Sequence, residues 1–582
     1  MSNYVFLVHD PSASRSVNAW LDRHAAASDV VRVRLGLRRR LIIVSKDARR
    51  STRPGRFFRG TAIAPDHNAL VFGVDGWLAS PDAVRSSSGD HAGEYLAAEW
   101  GAQRLELERD VFGSARLMHT AAPGIAAASD SLLVLASLRR AVGARVTANA
   151  EVLVARTAKN AVAGQQISPE TILNEVSYVP AARGLSLDVR GLRWSLTGAP
   201  VADRVASDGL DYVEVVRQGA ADVARTVATL AAVPGWSATL SLSGGYDSRL
   251  VLAGIVATGT NDAYRVRIVD NGPASEADVR VANSLARQFD VAPTAFGAPL
   301  PADAEDEYSH WAANLLGVYD GYGPVRTARW HARTFGLTGI GAEIHKGNWG
   351  WRPLHALADT AAPGGAVHDA LSAQLAKAAD SVGAVPTAGN ASELYYLGYR
   401  NGIHGAAGHI GVHMTGVHPV MQLRLAQLGH LPYEDGFRGS PAGIADHGIL
   451  LAPEVAAHEY DDPRRNLSPG YVDERLAALG GRIGAVDGYE VHGHPDDVVD
   501  GPSMLSLSIA RELGLHGPLN ADHVMARAED ALGLISDPDV RQAYVDVRDN
   551  AAWRIAKQNG SLKAAGISPA RISMLEILRL TT

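Results

Sequence analysis

One segment constrains this 582-residue chain more than any other: Leu240-Ser241-Leu242-Ser243-Gly244-Gly245-Tyr246-Asp247-Ser248-Arg249-Leu250-Val251-Leu252-Ala253. The alternating run that ends at Ser243 reads as a buried strand, and the run after Ser248 reads as a helix. Two glycines between them let the backbone turn tightly and approach a ligand closely. A helix starting at such a turn presents free N–H groups and the positive end of its dipole, a ready anion site. Ser243 and Ser248 add hydroxyl donors. Asp247 would repel a phosphate unless a divalent cation lies between them, and hard oxygen ligands suit Mg2+. A plain strand–turn–helix corner needs the glycines for geometry but has no use for two serines and an aspartate together.

The surrounding pattern repeats this unit. Residues 211–230 carry a helical apolar stripe (Val213, Val216, Ala220, Val223, Val227), residues 265–269 a second strand and residues 275–289 a second helix. Strand, helix, strand, helix predicts a parallel sheet with crossover helices. The first part of the chain reads differently, with short strands at 4–8, 41–44, 69–74, 114–119, 124–128, 185–189 and 192–196. Helical patterns fall at 92–99 and 131–141, the second capped by Ser129-Asp130-Ser131. This predicts an α+β sandwich domain over residues 1–200 and an α/β domain over residues 205–582. Beyond residue 360 the pattern is mostly helical, and 461–470 and 487–502 read as loops.

Composition narrows the function. Lys+Arg is 55 against 62 Asp+Glu, a net charge of -7, which argues against a dedicated nucleic-acid binder. There is no cysteine, which excludes disulfides, Cys-ligated zinc, iron–sulfur clusters and catalytic thiols. The N-terminal apolar run is too short for a signal peptide, and no stretch approaches the ~18 apolar residues of a membrane span. The expectation is a cytoplasmic protein with no membrane and no nucleic-acid partner. The sequence leaves its oligomeric state open.

The segment 243–248 resembles the pyrophosphate loop of the N-type ATP pyrophosphatases, and the whole chain resembles the asparagine synthetase family. Three further stretches match in order. Pro273-Ala274-Ser275-Glu276-Ala277-Asp278 resembles the family's segment after the adenine-contacting strand; Leu337-Thr338-Gly339-Ile340-Gly341-Ala342-Glu343 resembles its second loop; Val417-His418-Pro419-Val420-Met421-Gln422 stands at its Pro-Phe-Leu-Asp helix start. The N-terminal part is similar to the family's class II glutamine amidotransferase (Ntn) domain, with Asp110 in its Asp-x-x-Gly turn. Glutaminase chemistry there needs an N-terminal cysteine, whereas Ser2 follows Met1 here, and Gly73-Val74-Asp75-Gly76 replaces the glutamine-binding Asn-Gly-Glu. A serine hydroxyl without a positioned base is a poor nucleophile. The resemblance therefore points to the branch of β-lactam synthetases and lasso-peptide cyclases, with a degenerate amidotransferase-like domain.

What that resemblance implies is adenylation of a substrate carboxylate by ATP with Mg2+, release of pyrophosphate, and closure of an amide or macrolactam by an amine with loss of AMP. The residues implied for ATP and pyrophosphate are Leu242, Ser243, Gly244, Gly245, Tyr246, Asp247 and Ser248, the main chain of Ile268 and Val269 beside adenine, and Gly339, Ile340 and Gly341. Asp247 and Glu343 are the implied metal ligands, Glu343 standing where the family has aspartate. Lys346 and Arg352 would neutralise pyrophosphate. The tyrosine that β-lactam synthetases carry in the second loop is Ile340 here, so Glu393 is the candidate base, and Arg464 or Arg465 could replace their late-loop lysine. Arg249 reads as a helix-surface or inter-segment ion-pair residue. His409 and His413 share a helix face and would line the acceptor side rather than hold a metal. Residues 364–390 read as a two-helix insertion that reshapes the pocket.

The implied substrate is a small-molecule or peptide carboxylate, and a precursor-peptide protease is a possible partner. The alternatives are a β-lactam-synthetase-like or asparagine-synthetase-like small-molecule ligase, a nucleic-acid-modifying pyrophosphatase, and a non-catalytic ATP-binding member.

Overall fold

The computed structural model describes residues 4–36, 38–270, 272–294, 306–322, 333–406, 414–431, 441–499, 501 and 503–581. Its chain is mixed α/β, with two largely antiparallel sheets and one parallel sheet. The strands, in chain order, are β1 (Val5–His9), β2 (Val30–Leu35), β3 (Arg39–Val44), β4 (Thr52–Arg53), β5 (Arg56–Ala64), β6 (Ala69–Phe72), β7 (Ala92–Trp100), β8 (Arg104–Arg109), β9 (Met118–Ala122), β10 (Ile125–Ser129), β11 (Ser177–Tyr178), β12 (Gly184–Asp188), β13 (Arg193–Thr197), β14 (Ser237–Ser241), β15 (Tyr264–Arg267), β16 (Ala292–Pro293), β17 (Thr334–Leu337), β18 (Thr415–Val417) and β19 (Glu490–His492).

The first sheet has the order β11-β9-β10-β1-β3-β2 and the second β13-β12-β8-β7-β5-β6-β19. Their facing sides share one core, in which Phe6, Val8, Leu41 and Ile43 meet Phe57, Leu96, Leu107 and Leu185. Successive side chains point to opposite faces of a strand. Val5, Leu7, Ile42 and Val44 therefore face outward and pack with Val17 and Leu21 of the helix Ser14–His24 and with the helix Leu132–Ala141. On the outer side of the second sheet, Phe58 and Tyr95 pack with Trp77 of the helix Gly73–Ala79. The result is four layers: helix, sheet, sheet, helix.

Residues 92–99 form strand β7, not a helix. Their Ala, Leu and Glu content favours helix locally, but both faces of the segment are covered. Leu96 and Ala98 enter the core between the sheets, and Tyr95 and Ala97 the core outside. Two-sided burial with pairing to β5 and β8 overrides the weak local preference.

The parallel sheet has the order β16-β15-β14-β17-β18, all pairs parallel. From β14 the chain builds outward to β15 and β16. It then returns past β14 to lay down β17 and β18 on the other side. The gap between β14 and β17 is thus the point where strand order reverses, and in open α/β sheets ligands bind there, outside the carboxyl ends of the strands.

The region 205–582 does not stay apart from the first sheets. Residues 487–502 contain strand β19, which pairs in parallel with β6 and closes an otherwise open sheet edge. Buried Asp320 accepts from Arg156 of the N-terminal part and, at 3.0 Å, from Arg571 near the C-terminus. Residues 364–390 hold one helix, Gly365–Val382, rather than two. Gly383 ends it in the left-handed conformation, φ +73°, and Pro386 follows.

Candidate functional site

The segment 240–253 forms the strand, turn and helix that its sequence implies. Strand β14 ends at Ser241, and the helix Tyr246–Ala257 begins two residues earlier than the apolar pattern suggested. Its N-cap, Gly245, is extended, and no side chain caps the helix. The first turn therefore keeps its N–H groups for another acceptor. The loop is braced from within and from outside. Ser243 N donates to Ser248 Oγ at 2.9 Å, and the two serine hydroxyls are 3.0 Å apart. Gly244 N donates to Asp278 Oδ1 at 2.6 Å, so Asp278, at the start of the helix Glu276–Gln288, fixes the turn.

Glycine at residue 244 is a matter of space: a Cβ there would lie 2.9 Å from Asp461 Cβ and 3.2 Å from Val281 Cβ. Arg249 is buried, not on the helix surface. Its guanidinium lies 3.5 Å from the centre of the Tyr460 ring and donates to Gly244 O, His458 O and Glu459 O. One cation thereby ties the 243–248 loop to the late segment around residue 460.

The second loop leaves β17 at the neighbouring strand end. A Cβ on Gly339 would sit 2.2 Å from the carbonyl carbon of Asp247 and 2.4 Å from Ser248 N, so this loop lies directly on the first turn of the helix Tyr246–Ala257. Gly341 has φ +109°, which favours glycine, and packs on the backbone of Met421. Thr338 Oγ1 accepts from Ile340 N at 3.2 Å and is 2.9 Å from His418 Nδ1. Burial lowers the His418 pKa to about 4, leaving the ring neutral.

Lys346, at the end of the short helix Ala342–Lys346, donates to both carboxylate oxygens of Asp247, at 2.8 and 2.9 Å. About a third of each side chain is exposed, 32% and 37%, so the pair is open to a ligand from the cleft. Glu343 accepts from Gly341 N at 2.9 Å and from the Tyr396 hydroxyl at 3.3 Å. Burial pushes its carboxyl up, and the nearby Asp247 charge adds to that.

The remaining expected residues separate. Ile268 and Val269 follow the carboxyl end of β15, on the same sheet edge as the 243–248 loop, and Val269 is 40% exposed. Arg465 overhangs the loop, its Nη1 3.9 Å from where a Gly245 Cβ would be. Arg464 instead pairs with Asp462 at 2.6 Å in an exposed turn. Arg352 is turned to Thr360 Oγ1 at 3.2 Å, along the helix Leu354–Ala361. Glu393 is buried, and its carboxylate accepts from the amides of Asn348, Trp349 and Trp351 at 2.9, 2.8 and 3.3 Å. Those contacts give it the work of fixing the 347–351 loop that follows Lys346. His409 and His413 lie outside the described residues, as does Ser2.

Beyond the second loop the fold assembles a polar cluster that strip-by-strip reading missed. Tyr319 hydroxyl is 2.8 Å from His404 Nδ1, and the Arg400 guanidinium stands 5.8 Å from the Tyr319 ring centre and donates to Gln165 Oε1 at 2.7 Å. A Cβ on Gly405 would be 3.3 Å from Ile340 Cγ2, which sets this cluster beside the second loop. Nothing in the spacing of 165, 319, 400 and 404 signals it.

On the N-terminal sheets, the segment 73–76 is the first turn of a helix under the C-terminal segment. A Cβ on Gly76 would lie 2.3 Å from His492 O, and Asp75 is paired with Arg53 at the surface. Among the described residues no group of three or more His, Cys, Asp or Glu side chains gathers as a metal set, and no helix is long and apolar enough to cross a membrane. Searched against protein-family models the chain matches none, and no curated protein matches it.

Proposed function

We propose that this chain is an ATP-dependent, AMP-forming amide ligase that adenylates a carboxylate and closes an amide with an amine, on an asparagine-synthetase-like scaffold that draws no ammonia from glutamine. One observation carries the reading: the uncapped N-terminus of the helix Tyr246–Ala257, with Asp247 and Lys346 beside it, faces the cleft where the parallel sheet reverses its strand order. The macrolactam form of the reaction, with a peptide carboxylate, rests on the resemblance of the four sequence segments.

In this reading the free amides of Tyr246 to Ser248 and the Ser243 hydroxyl hold the β- and γ-phosphates. Backbone after β15 borders adenine. The substrate carboxylate attacks the α-phosphorus; the bond to the bridging oxygen breaks, and pyrophosphate carries the electron pair away. Lys346 and Arg465 neutralise the charge that builds on it in this reading, and such positioned electrostatics is where catalysis of this step comes from. The amine then adds to the acyl-adenylate carbonyl and AMP leaves. Tyr319, Arg400 and His404 border the acceptor side, where Arg400 supplies a cation for the carbonyl oxygen.

Asp247 and Glu343 offer the hard oxygen donors that suit Mg2+. Two carboxylates fit an ion that commonly takes one or two of them together with substrate phosphates. When bound, Mg2+ would neutralise phosphate charge; Asp247 would then exchange Lys346 for the ion and free that ammonium for the leaving group.

The test is product analysis with radiolabelled ATP and Mg2+ over a panel of amino acids and short peptides. AMP and pyrophosphate are expected. Asp247→Asn, nearly isosteric, should lower pyrophosphate release roughly 100-fold or more, about 2.7 kcal/mol, without a change in melting temperature. Clean ADP and phosphate, or full activity in Asp247→Asn, would overturn the reading.

A further inference from the structure

The first sheet carries a second concentration of charge that the phosphate-loop chemistry does not use. Strand β2 is the edge of that sheet, and in the β2–β3 hairpin Arg34 lies directly opposite Arg40, which in turn lies opposite His9 of β1. Like charges directly opposite each other on one face of a sheet destabilise it. Arg32 stands two residues before Arg34, on the same face of the same strand. This is the face that the helix Ser14–His24 covers further along, where Ile42 and Val44 join its core. Toward the open ends of the strands that apolar face gives way to arginine.

A cavity of about 420 Å³ occupies this position, bounded by His9, Arg32, Arg34, Arg38, Arg39 and Arg40, with Asn18 of the helix on the far side and no carboxylate in its wall. Arg39 is committed elsewhere: it donates to Val189 O and Arg190 O at 3.1 and 2.7 Å and pairs with Asp10 at 3.3 Å. Arg34 makes one bond, from Nε to Gly36 O at 3.2 Å. The side chains of Arg32, Arg38 and Arg40 make no ion pair or hydrogen bond with another of the described residues. Burial first, and then Arg40, holds the His9 imidazole below its ordinary range. Four guanidiniums with unused donors thus face one small volume on a protein whose net charge is -7.

We propose that this groove is a binding site for a small polyanion carrying two or more phosphate groups. Directly opposed strand residues have Cβ atoms about 5 Å apart, so Arg34 and Arg40 can grip one phosphate together. Arg32 lies one step along β2 on one side of that pair and Arg38 lies in the turn on the other, so each can take a further phosphate of the same ligand. The volume is that of a small-ligand pocket, roughly 300–1,000 Å³, rather than of an extended macromolecular track. A bound polyanion removes the Arg34–Arg40 repulsion, so the hairpin is more stable occupied than empty. The site is separate from the phosphate loop, which lies on the parallel sheet.

The test is calorimetric titration of the full chain with inorganic tripolyphosphate in Mg2+-free buffer at low salt. One-to-one binding in the micromolar range is expected, weakened at least tenfold by raising the salt to about 200 mM. Arg34→Glu/Arg40→Glu should abolish the heat. Arg32→Gln/Arg38→Gln, which adds no new charge and keeps the fold, should weaken binding at least tenfold. Gly245→Asp, which places a carboxylate in the phosphate loop, should leave binding unchanged. Heat that survives the hairpin variants and disappears in Gly245→Asp would assign the anion to the phosphate loop and overturn the proposal. So would tighter binding of a single-stranded oligonucleotide than of tripolyphosphate, or wild-type affinity weaker than about 1 mM.

Discussion

The N-terminal sheets and the cleft at the 243–248 loop hold polar residues drawn from the same set of sequence motifs, and they use them in opposite ways. On the sheets, Asp110 is fully buried and accepts from Ser114 N and Ala115 N, both at 2.9 Å. Asp130 accepts from Tyr4 N at 3.1 Å, Ser129 donates to Tyr4 O at 2.6 Å, and Ser131 caps the helix Leu132–Ala141. Each of these groups is committed to the chain's own backbone. In the cleft, Asp247 and Lys346 meet each other about a third exposed to solvent, and the helix start beside them has no cap. A motif whose polar groups satisfy local backbone survives as architecture whatever the chemistry nearby. A motif whose groups face a cleft is explained by a ligand.

Substitutions can break this contrast, and the largest effect should come from neither region but from the buried charges that join them. Asp320→Leu leaves Arg156 and Arg571 buried without their counter-ion. Removing one partner of such a set costs about 3–5 kcal/mol, to be read as a lower urea midpoint at unchanged slope. A loss under 1 kcal/mol would show that the two ends of the chain are not joined there.

Next in size is a pH effect at a second buried charge. Asp222 is held among Arg424, Arg225 and Tyr489, yet burial dominates and raises its pKa to about 6. Between about pH 4 and 6 the folded state keeps a proton that the unfolded state has lost. Stability contributed by this group is therefore present at low pH and declines as pH rises through that window, by up to about 3 kcal/mol. Asp222→Asn should flatten this part of the stability curve in denaturant titrations run at several pH values; an unchanged slope would refute the assignment.

Asp110→Ala then sharpens the comparison itself. Two buried amides lose their acceptor, for a loss of about 2 kcal/mol in unfolding free energy. The folded fraction should retain full pyrophosphate release, the reverse of what Asp247→Asn should do. Equal losses of turnover in both variants would erase the distinction between backbone-committed and ligand-facing motifs. Smallest is Ser131→Ala, which removes an N-cap and should cost about 1 kcal/mol; a melting temperature identical to the parent would mean that Ser129 and Asp130 already hold that helix.

Local information was legible wherever neighbours in sequence are neighbours in space. Strand, glycine turn and helix at 237–257, the cap at Ser131 and the parallel grammar of β14 and β15 all follow from rules that act over a few residues. Residues 92–99 show the limit: their composition is helical, and pairing with β5 and β8 makes them β7, because a few tenths of a kcal/mol per residue of propensity yields to burial on two faces. Residues 490–492 have no strand signal of their own and become one because the edge of β6 offers unpaired backbone groups.

The same division runs through the candidate site. Ser243, Asp247 and Ser248 announce themselves within six residues, whereas the Lys346–Asp247 pair joins positions 99 apart and Asp278 reaches Gly244 across 34. Arg464 and Arg465 are adjacent and chemically identical, so the sequence could not rank them. The turn at 461–465 sends one to Asp462 and the other over Gly245. Sequence settles what short-range sterics and hydrogen bonding can enforce; which side chains then face one another is decided by how strands order themselves in a sheet, a choice made by burial over the whole chain.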